Sequence, residues 1–290
     1  MTSITRLFEA QIEWANLKAD ECIWIPCMMC GSPTYEAQAS LTINWVEFFV
    51  VKCSSCGLTW RNPMPNPEFL ASLYSDHYYN VLEHAPDLIY QVGIADYKNE
   101  DQNRRSEIAD NEVRNWQKKG FEPFDVANEQ KRLLEIGGGR GYLQRAASEL
   151  GWNTVGIEIS EHGIKAATDK GLVVLPVTLD EFCNKFVPHH NYFDVVVFFD
   201  FLEHVVNPGE VLRMIKHILK KSGHIILRVP CTEDYPRIHL IDHIWYFSEK
   251  TILDLLAKEG FQVIDKHASG TFRSTDGEEL QNITLFAECK

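Results

Sequence analysis

The stretch Leu133-Leu-Glu-Ile-Gly-Gly-Gly-Arg-Gly141 constrains this chain more than any other. Arg132–Ile136 reads as a short apolar strand, and the glycines after it let the backbone turn tightly and approach a ligand before a helix opens at Tyr142. Strand and helix patterns then alternate to the end of the chain. The helix Tyr142–Leu150 is closed by Gly151. A strand Thr154–Glu158 and a helix Glu161–Lys170 follow, then strands Leu172–Leu175 and Phe193–Phe199. Pro208 opens a helix to Lys221, His224–Val229 is the next strand, and Ser248 caps a helix to Glu259 that ends at Gly260. Phe261–Lys266 and Ile283–Glu288 close the chain with no helix between them, as an antiparallel edge hairpin. Alternation of this kind predicts an α/β protein with a mainly parallel sheet and helices on both faces.

Ligands of open α/β sheets bind at the carboxyl ends of the strands, and the glycine spacing selects among them. A dinucleotide loop needs G-x-G-x-x-G. Counted from Gly137 the third position is Tyr142, and counted from Gly139 it is Gln144, so neither fits. The pattern present is Glu135-x-Gly137-x-Gly139-x-Gly141, and Glu158 follows 17 residues after Gly141 at the tip of the second core strand. An acid there can accept both hydroxyls of a ribose through charge-assisted bonds. This arrangement resembles motif I of class I S-adenosylmethionine-dependent methyltransferases. The resemblance implies a seven-stranded Rossmann-like sheet, with Glu135 serving the amino-acid end of the cofactor. Gly137, Gly138, Gly139, Gly141 and Tyr142 would lie around its methionine and ribose. Ile159, Thr178 and Leu179 would lie near the adenine, although Thr178 also reads as a helix start.

A second motif runs Phe193-Asp-Val-Val-Val-Phe-Phe-Asp-Phe-Leu-Glu-His-Val-Val-Asn-Pro208. It resembles the FDvV…LEHv…P form of the Methyltransf_23-like branch, and the likeness covers about residues 130–290. It implies that Asp200 and Phe201 line the methyl-donor pocket and that His204 faces it.

Two further blocks precede this core. Cys27-Met-Met-Cys30-Gly and Cys53-Ser-Ser-Cys56-Gly have zinc-ribbon spacing, with 22 residues between the pairs, enough for a hairpin. Four thiolates close a tetrahedron around one structural zinc ion. Disulfides and a redox Cys-x-x-Cys are the alternatives, disfavoured by a reducing compartment and by the doubled pair. Cys22, Cys183, Cys231 and Cys289 are scattered and read as ordinary thiols. A strand-like run, Leu41–Lys52, separates the pairs, and Pro63, Pro65 and Pro67 read as a linker. Residues 1–66 are thus expected to hold a leading amphipathic helix (Ile4, Leu7, Phe8, Ile12) and the ribbon, 67–127 a helical lid or linker, and 128–290 the methyltransferase core. The ribbon, the block NPMPNPEFLASLYSDHYY and the core together resemble bacterial small-molecule methyltransferases, distantly the sugar C-methyltransferases, whose further C-terminal domain is not matched here.

Methyl transfer to a hydroxyl or a carbon acid needs a base beside the methyl group. The segment Arg237-Ile-His-Leu-Ile-Asp-His-Ile-Trp-Tyr-Phe-Ser248 supplies candidates. His243 is the expected general base, oriented by Asp242, where the sugar enzymes read Tyr-x-Glu-His. His239, Tyr78 and Tyr79 are expected at the acceptor.

The formal net charge of −13 and the lack of a dense Lys/Arg cluster favour a small-molecule acceptor over nucleic acid. No run approaches the ~18–20 apolar residues needed to span a bilayer. The first residues lack the pattern of a signal peptide, so a cytoplasmic location and no membrane partner are expected. The competing readings are an RNA methyltransferase using the ribbon as a clamp and a non-catalytic partner protein that keeps the fold. Asp200-Phe-Leu-Glu203 departs from the [DN]-P-P-[YF] often carried by enzymes acting on planar nitrogens.

Overall fold

The computed structural model describes residues 22–43, 46–66, 99–186, 191–231, 243–273 and 279–290. The leading helix, Tyr78, Tyr79, His239 and Asp242 lie outside these residues.

The ribbon block holds β1 (Cys22–Ile23), β2 (Tyr35–Ile43), β3 (Val46–Cys53), β4 (Thr59–Asn62) and β5 (Met64–Pro65). After α1 (Asn99–Lys118) the core runs β6 (Arg132–Ile136), α2 (Tyr142–Glu149), β7 (Asn153–Ile157), α3 (Glu161–Thr168), β8 (Val174–Leu175) and α4 (Leu179–Lys185). It continues with β9 (Phe193–Phe199), α5 (Pro208–Ile218), β10 (Leu219–Cys231), β11 (Trp245–Tyr246), α6 (Glu249–Lys258), β12 (Phe261–Arg273) and β13 (Glu279–Cys289). A short 3₁₀ turn, Leu202–His204, follows β9.

Seven strands form the main sheet in the order β12-β13-β10-β9-β6-β7-β8. The five from β8 to β10 are parallel, and β13 is antiparallel to both of its neighbours. Side chains alternate between faces with a period of two. Leu133, Val195, Val197, Ile226 and Phe286 pack with α1 and α2 through Val113, Trp116, Ala146 and Ala147. Their neighbours Leu134, Val196, Phe198, Ile225 and Leu285 pack with α4, α5 and α6 through Phe182, Leu212, Ile215 and Leu255. Strands buried on both faces read as continuous apolar runs, which is why these segments show no polar alternation. The expected architecture is therefore present, with both covered faces and an antiparallel C-terminal strand.

Three local expectations change. The helix after Pro208 ends at Ile218 instead of Lys221, because Leu219 turns extended and pairs with Phe193. The strand-like run Leu41–Lys52 is two paired strands, β2 and β3, on either side of residues 44 and 45. The proline-rich stretch is also no free linker over its described part. Pro63, Met64 and Pro65 are buried, and Met64–Pro65 pairs with Cys22–Ile23. The ribbon's sheet has the order β11-β4-β3-β2, so the core's own Trp245–Tyr246 completes it. Trp60 and Trp245 are buried in one apolar cluster that also contains Cys27, Met64, Leu227 and Leu255. Ribbon and core thus share a hydrophobic interior.

Trp60→Ala should cost about 3–5 kcal/mol in denaturant unfolding, the usual loss for a fully buried large aromatic. The near-ultraviolet signal of ribbon and core should be lost in a single transition.

Candidate functional site

β6 pairs with β7 on one side and β9 on the other, so the chain order reverses there, at the point where open α/β sheets take ligands beyond the carboxyl ends of their strands. The glycine turn forms one lip. Gly137, Gly139 and Gly141 have φ of 65°, 52° and 71°, the left-handed region that side chains disfavour. Gly138 is required for another reason. A Cβ there would lie 2.7 Å from the Glu135 carboxylate.

Glu135 is buried beneath this turn and accepts a 3.0 Å hydrogen bond from the Gln144 N–H, in the first turn of α2. It therefore caps the helix from the preceding strand, where the helix dipole favours negative charge. Burial still dominates and lifts its carboxyl to about 8, against the pull of the Gln144 N–H and with a small addition from the Glu158 charge. Glu158 stands at the tip of β7. Its Oε2 accepts from Gly139 N at 2.8 Å, and its Oε1 accepts from Ile159 N at 2.8 Å and Ser160 N at 2.9 Å. The acid thus ties the two neighbouring turns together and keeps an acceptor position on Oε2.

Ile159 stays exposed beside this acid. Thr178 caps α4 in a reciprocal capping box with Glu181, and Leu179 is buried. Tyr142 opens α2, with a buried hydroxyl that has no hydrogen-bond partner among the described residues and with Lys170 Nζ 5.0 Å from its ring centroid.

The other lip follows β9. Asp200 has a φ of 51°, and its carboxylate accepts from two nitrogens of Arg228, Nε at 3.1 Å from Oδ1 and Nη2 on Oδ2. Phe201 lies over the turn, close enough that a Cβ on Gly137 would sit 3.0 Å from its ring. His204 ends the 3₁₀ turn and its ring meets His243 edge to face at 4.6 Å between centroids. The fully buried Glu203 completes this group, and its carboxylate oxygen lies 3.8 Å from His204 Nε2. The ligating atoms of Glu203, His204 and His243 lie within 4.8 Å of one another, close enough to hold a cation. The structure thus brings Glu135, Glu158 and Phe201 together around the glycine turn and pairs His204 with His243. Asp200 faces Arg228.

Three of these roles were not read from the sequence. Arg228 gave a signal, a charge inside the apolar run Ile225–Val229. Gln144 and Glu203 gave none, because each owes its role to burial against another segment.

Some distance along the chain, all four sulfurs of Cys27, Cys30, Cys53 and Cys56 lie within 4.8 Å of one another, and the pairs Cys27–Cys56 and Cys30–Cys53 stand 3.5 Å apart. A tetrahedron built on Zn–S bonds of about 2.3 Å has edges of about 3.8 Å, so the set fits zinc. Both knuckles are built alike. Gly31 N donates to Cys27 O at 2.7 Å and Gly57 N to Cys53 O at 3.0 Å, each glycine at positive φ. Burial pushes the Cys27 thiol up, whereas at Cys53 burial is outweighed by the N–H groups of Cys56 and Ser55, which bring it down to about 6.

The buried acid makes stability depend on pH. Glu135 titrates near 4.5 when unfolded and near 8 when folded, so between those values the folded state holds a proton that the unfolded chain has lost. Stability therefore falls as pH rises through that window. In urea unfolding without cofactor, the wild type should lose on the order of 2 kcal/mol more than Glu135→Gln between pH 6 and pH 9. Parallel pH dependence in the two proteins would exclude the buried acid as its source.

A methyltransferase-domain family model matches residues 101–266, more than half of the chain. The ubiquinone biosynthesis O-methyltransferase of Actinobacillus pleuropneumoniae (serotype 7, strain AP76) is 31% identical over 100 residues, 32% of this chain and 43% of that protein. That of Caulobacter sp. (strain K31) is 33% identical over 114 residues, 37% of this chain and 42% of that protein. The chain spans less than half the length of these curated relatives. A structure of Burkholderia thailandensis 1,6-didemethyltoxoflavin-N1-methyltransferase, with 1,6-didemethyltoxoflavin and S-adenosylhomocysteine bound, superposes with a TM-score of 0.55 over 82% of this chain and 96% of that one. At 15% identity this is a likeness of fold. With the sheet order, the glycine turn and its two acids already in place, the match identifies the chain as a member of the methyltransferase-domain family.

Proposed function

We propose that the chain transfers a methyl group from S-adenosylmethionine to an oxygen or carbon of a small polar metabolite. The observation that carries this reading is the glycine turn over buried Glu135, with Glu158 at the next strand's tip bonded to Gly139 N. Glu135 supplies negative charge to a cationic donor, and Glu158 accepts from a ribose hydroxyl through Oε2. Ile159, Thr178 and Leu179 stand at the adenine, and Phe201 walls the methyl group. The O-methyltransferase relatives favour oxygen as the acceptor atom.

The donor brings an activated sulfonium methyl. The chain must align the acceptor and take its proton as the new bond forms and the S–CH₃ bond breaks. His243 takes that role, with His204 against its ring. Asp242, His239, Tyr78 and Tyr79 complete the proposal from outside the described residues. Cys27, Cys30, Cys53 and Cys56 hold a structural zinc ion, and domain divisions near residues 66 and 127 belong to the same reading. The ribbon's charge supports a small acceptor over RNA. Between residues 22 and 66 the cations are Lys52 and Arg61, and Arg61 is buried, which leaves little to neutralise phosphates.

Calorimetry with S-adenosylhomocysteine tests the cofactor site. Binding should weaken roughly 10–100-fold in Glu158→Ala, the loss of a charged hydrogen bond. Silence with the wild type, or saturation by a nicotinamide dinucleotide, refutes the reading. Transfer of a tritiated methyl group into fractionated small metabolites tests the base. His243→Asn should slow it by about 10²–10⁴-fold while cofactor affinity is kept. An equal loss of cofactor affinity would assign His243 a structural role.

A further inference from the structure

We propose that the four-cysteine ribbon braces the catalytic loop, and that Arg61 is a positioning residue which holds His243 against His204. This rests on the methyl-transfer reading only for the word catalytic; the brace itself is a matter of geometry.

The second knuckle leads directly into β4, with Thr59 three residues after Cys56. β4 then pairs antiparallel with β11, placing Trp60 opposite Trp245 and Thr59 opposite Tyr246. Arg61 extends this pairing by one residue. Its main-chain N–H donates to Ile244 O at 2.8 Å, and its buried guanidinium donates to the Tyr246 hydroxyl at 3.3 Å. On the opposite side the same short segment is held to the 3₁₀ turn. Ile244 N donates to Glu203 O at 2.9 Å, and the Trp245 indole donates to Val205 O at 2.7 Å. Ile244–Tyr246 is thus clamped between the ribbon strand and the turn that carries Glu203 and His204. His243 is the residue immediately before the clamp.

The ribbon is fixed to the core at a second point. α6 begins just after β11, and Lys258 near its far end donates to Met28 O at 3.3 Å and Met29 O at 2.8 Å. Both carbonyls lie inside the first knuckle, between Cys27 and Cys30. The folded knuckles therefore meet the segment that follows His243 at both ends. β4 grips it at the start, and α6 grips the first knuckle at the far end. A ribbon whose thiolates lose their ion loses its own turns, and β4 loses the geometry that aligns it with β11. Glu158 and Glu135 tie the glycine turn to β7 and α2, and its link to the braced turn is the apolar contact of Phe201 with Gly137, so the cofactor end should register the change only weakly.

The experiment strips zinc from the reduced full-length protein with a chelator, with and without S-adenosylhomocysteine. It follows the ring protons of His204 and His243 by NMR, assigned with His204→Asn and His243→Asn, and the exchange rates of the Ile244 amide and the Trp245 indole. Metal loss should move both imidazole signals and speed both exchange rates by at least about tenfold. S-adenosylhomocysteine affinity should stay within about twofold, and added zinc should restore the signals. With zinc bound, Arg61→Met should reproduce the ring shifts in part and Arg61→Lys should reverse them. Ring signals and exchange rates unchanged by stripping overturn the brace, as does a protein that purifies without zinc and with these signals in place. Loss of cofactor affinity together with the ring signals also overturns it, because the ribbon would then support the whole fold. Failure of S-adenosylhomocysteine to bind sinks the methyl-transfer reading alone, since the ring and exchange signals are read without it.

Discussion

Glu135 lies beneath a glycine turn that has no room for a side chain at Gly138, and the site depends on that packing. The carboxylate occupies the space a Cβ on Gly138 would need, and the Gln144 N–H that it accepts belongs to the first turn of α2. One acid thus sets the height of the turn and the start of the helix. Glu158 ties the same turn to the end of β7 through Gly139. The two carboxylates leave the glycine backbone, rather than side chains, lining this edge of the crevice. That suits a ligand that must come close, and it places negative charge where a sulfonium donor needs it. Burial raises the cost of ionising Glu135, so a cationic ligand and a proton compete for it.

The opposite lip is held by different means. Arg228 grips Asp200 at the end of β10, and Phe201 packs down onto Gly137. Both contacts cross between strands that the chain reaches far apart in sequence. The imidazole pair comes from still more distant segments, His204 from the turn after β9 and His243 from the run into β11. Ile244 N and the Trp245 indole join the two segments directly, and a strand of the ribbon pairs with the second of them. A module that reads in isolation as an appendage shares the core's hydrophobic interior, and its sheet ends in a core strand. Continuous burial of Trp60, Met64 and Trp245 leaves no seam for independent movement of the kind a linker would allow.

Much of this was legible in the residues. The apolar runs of β6, β9 and β10, the caps at Ser248 and Thr178, and the glycine spacing each report a local preference, and local preferences place elements well. The cysteine spacing likewise brought its four sulfurs together. Errors gathered where a distant partner overrode the local signal. Pro63 and Pro65 break regular structure by themselves, yet both are buried, and Pro65 pairs with Cys22 of β1. The helix after Pro208 stops early because Phe193 offers Leu219 a strand partner.

The amino-acid order by itself determined the alternating α/β architecture, the glycine turn with acids at fixed spacing, and the four-thiol set. Each is written in nearest-neighbour terms: periodicity, backbone freedom and the bite of a short loop. Only the tertiary structure decided that Glu135 is buried and caps a helix, that Asp200 is held by Arg228, and that the ribbon's β4 clamps the segment beside His243. Those outcomes depend on which surfaces meet when the sheet closes, and long-range burial leaves no mark at a fixed distance along the chain.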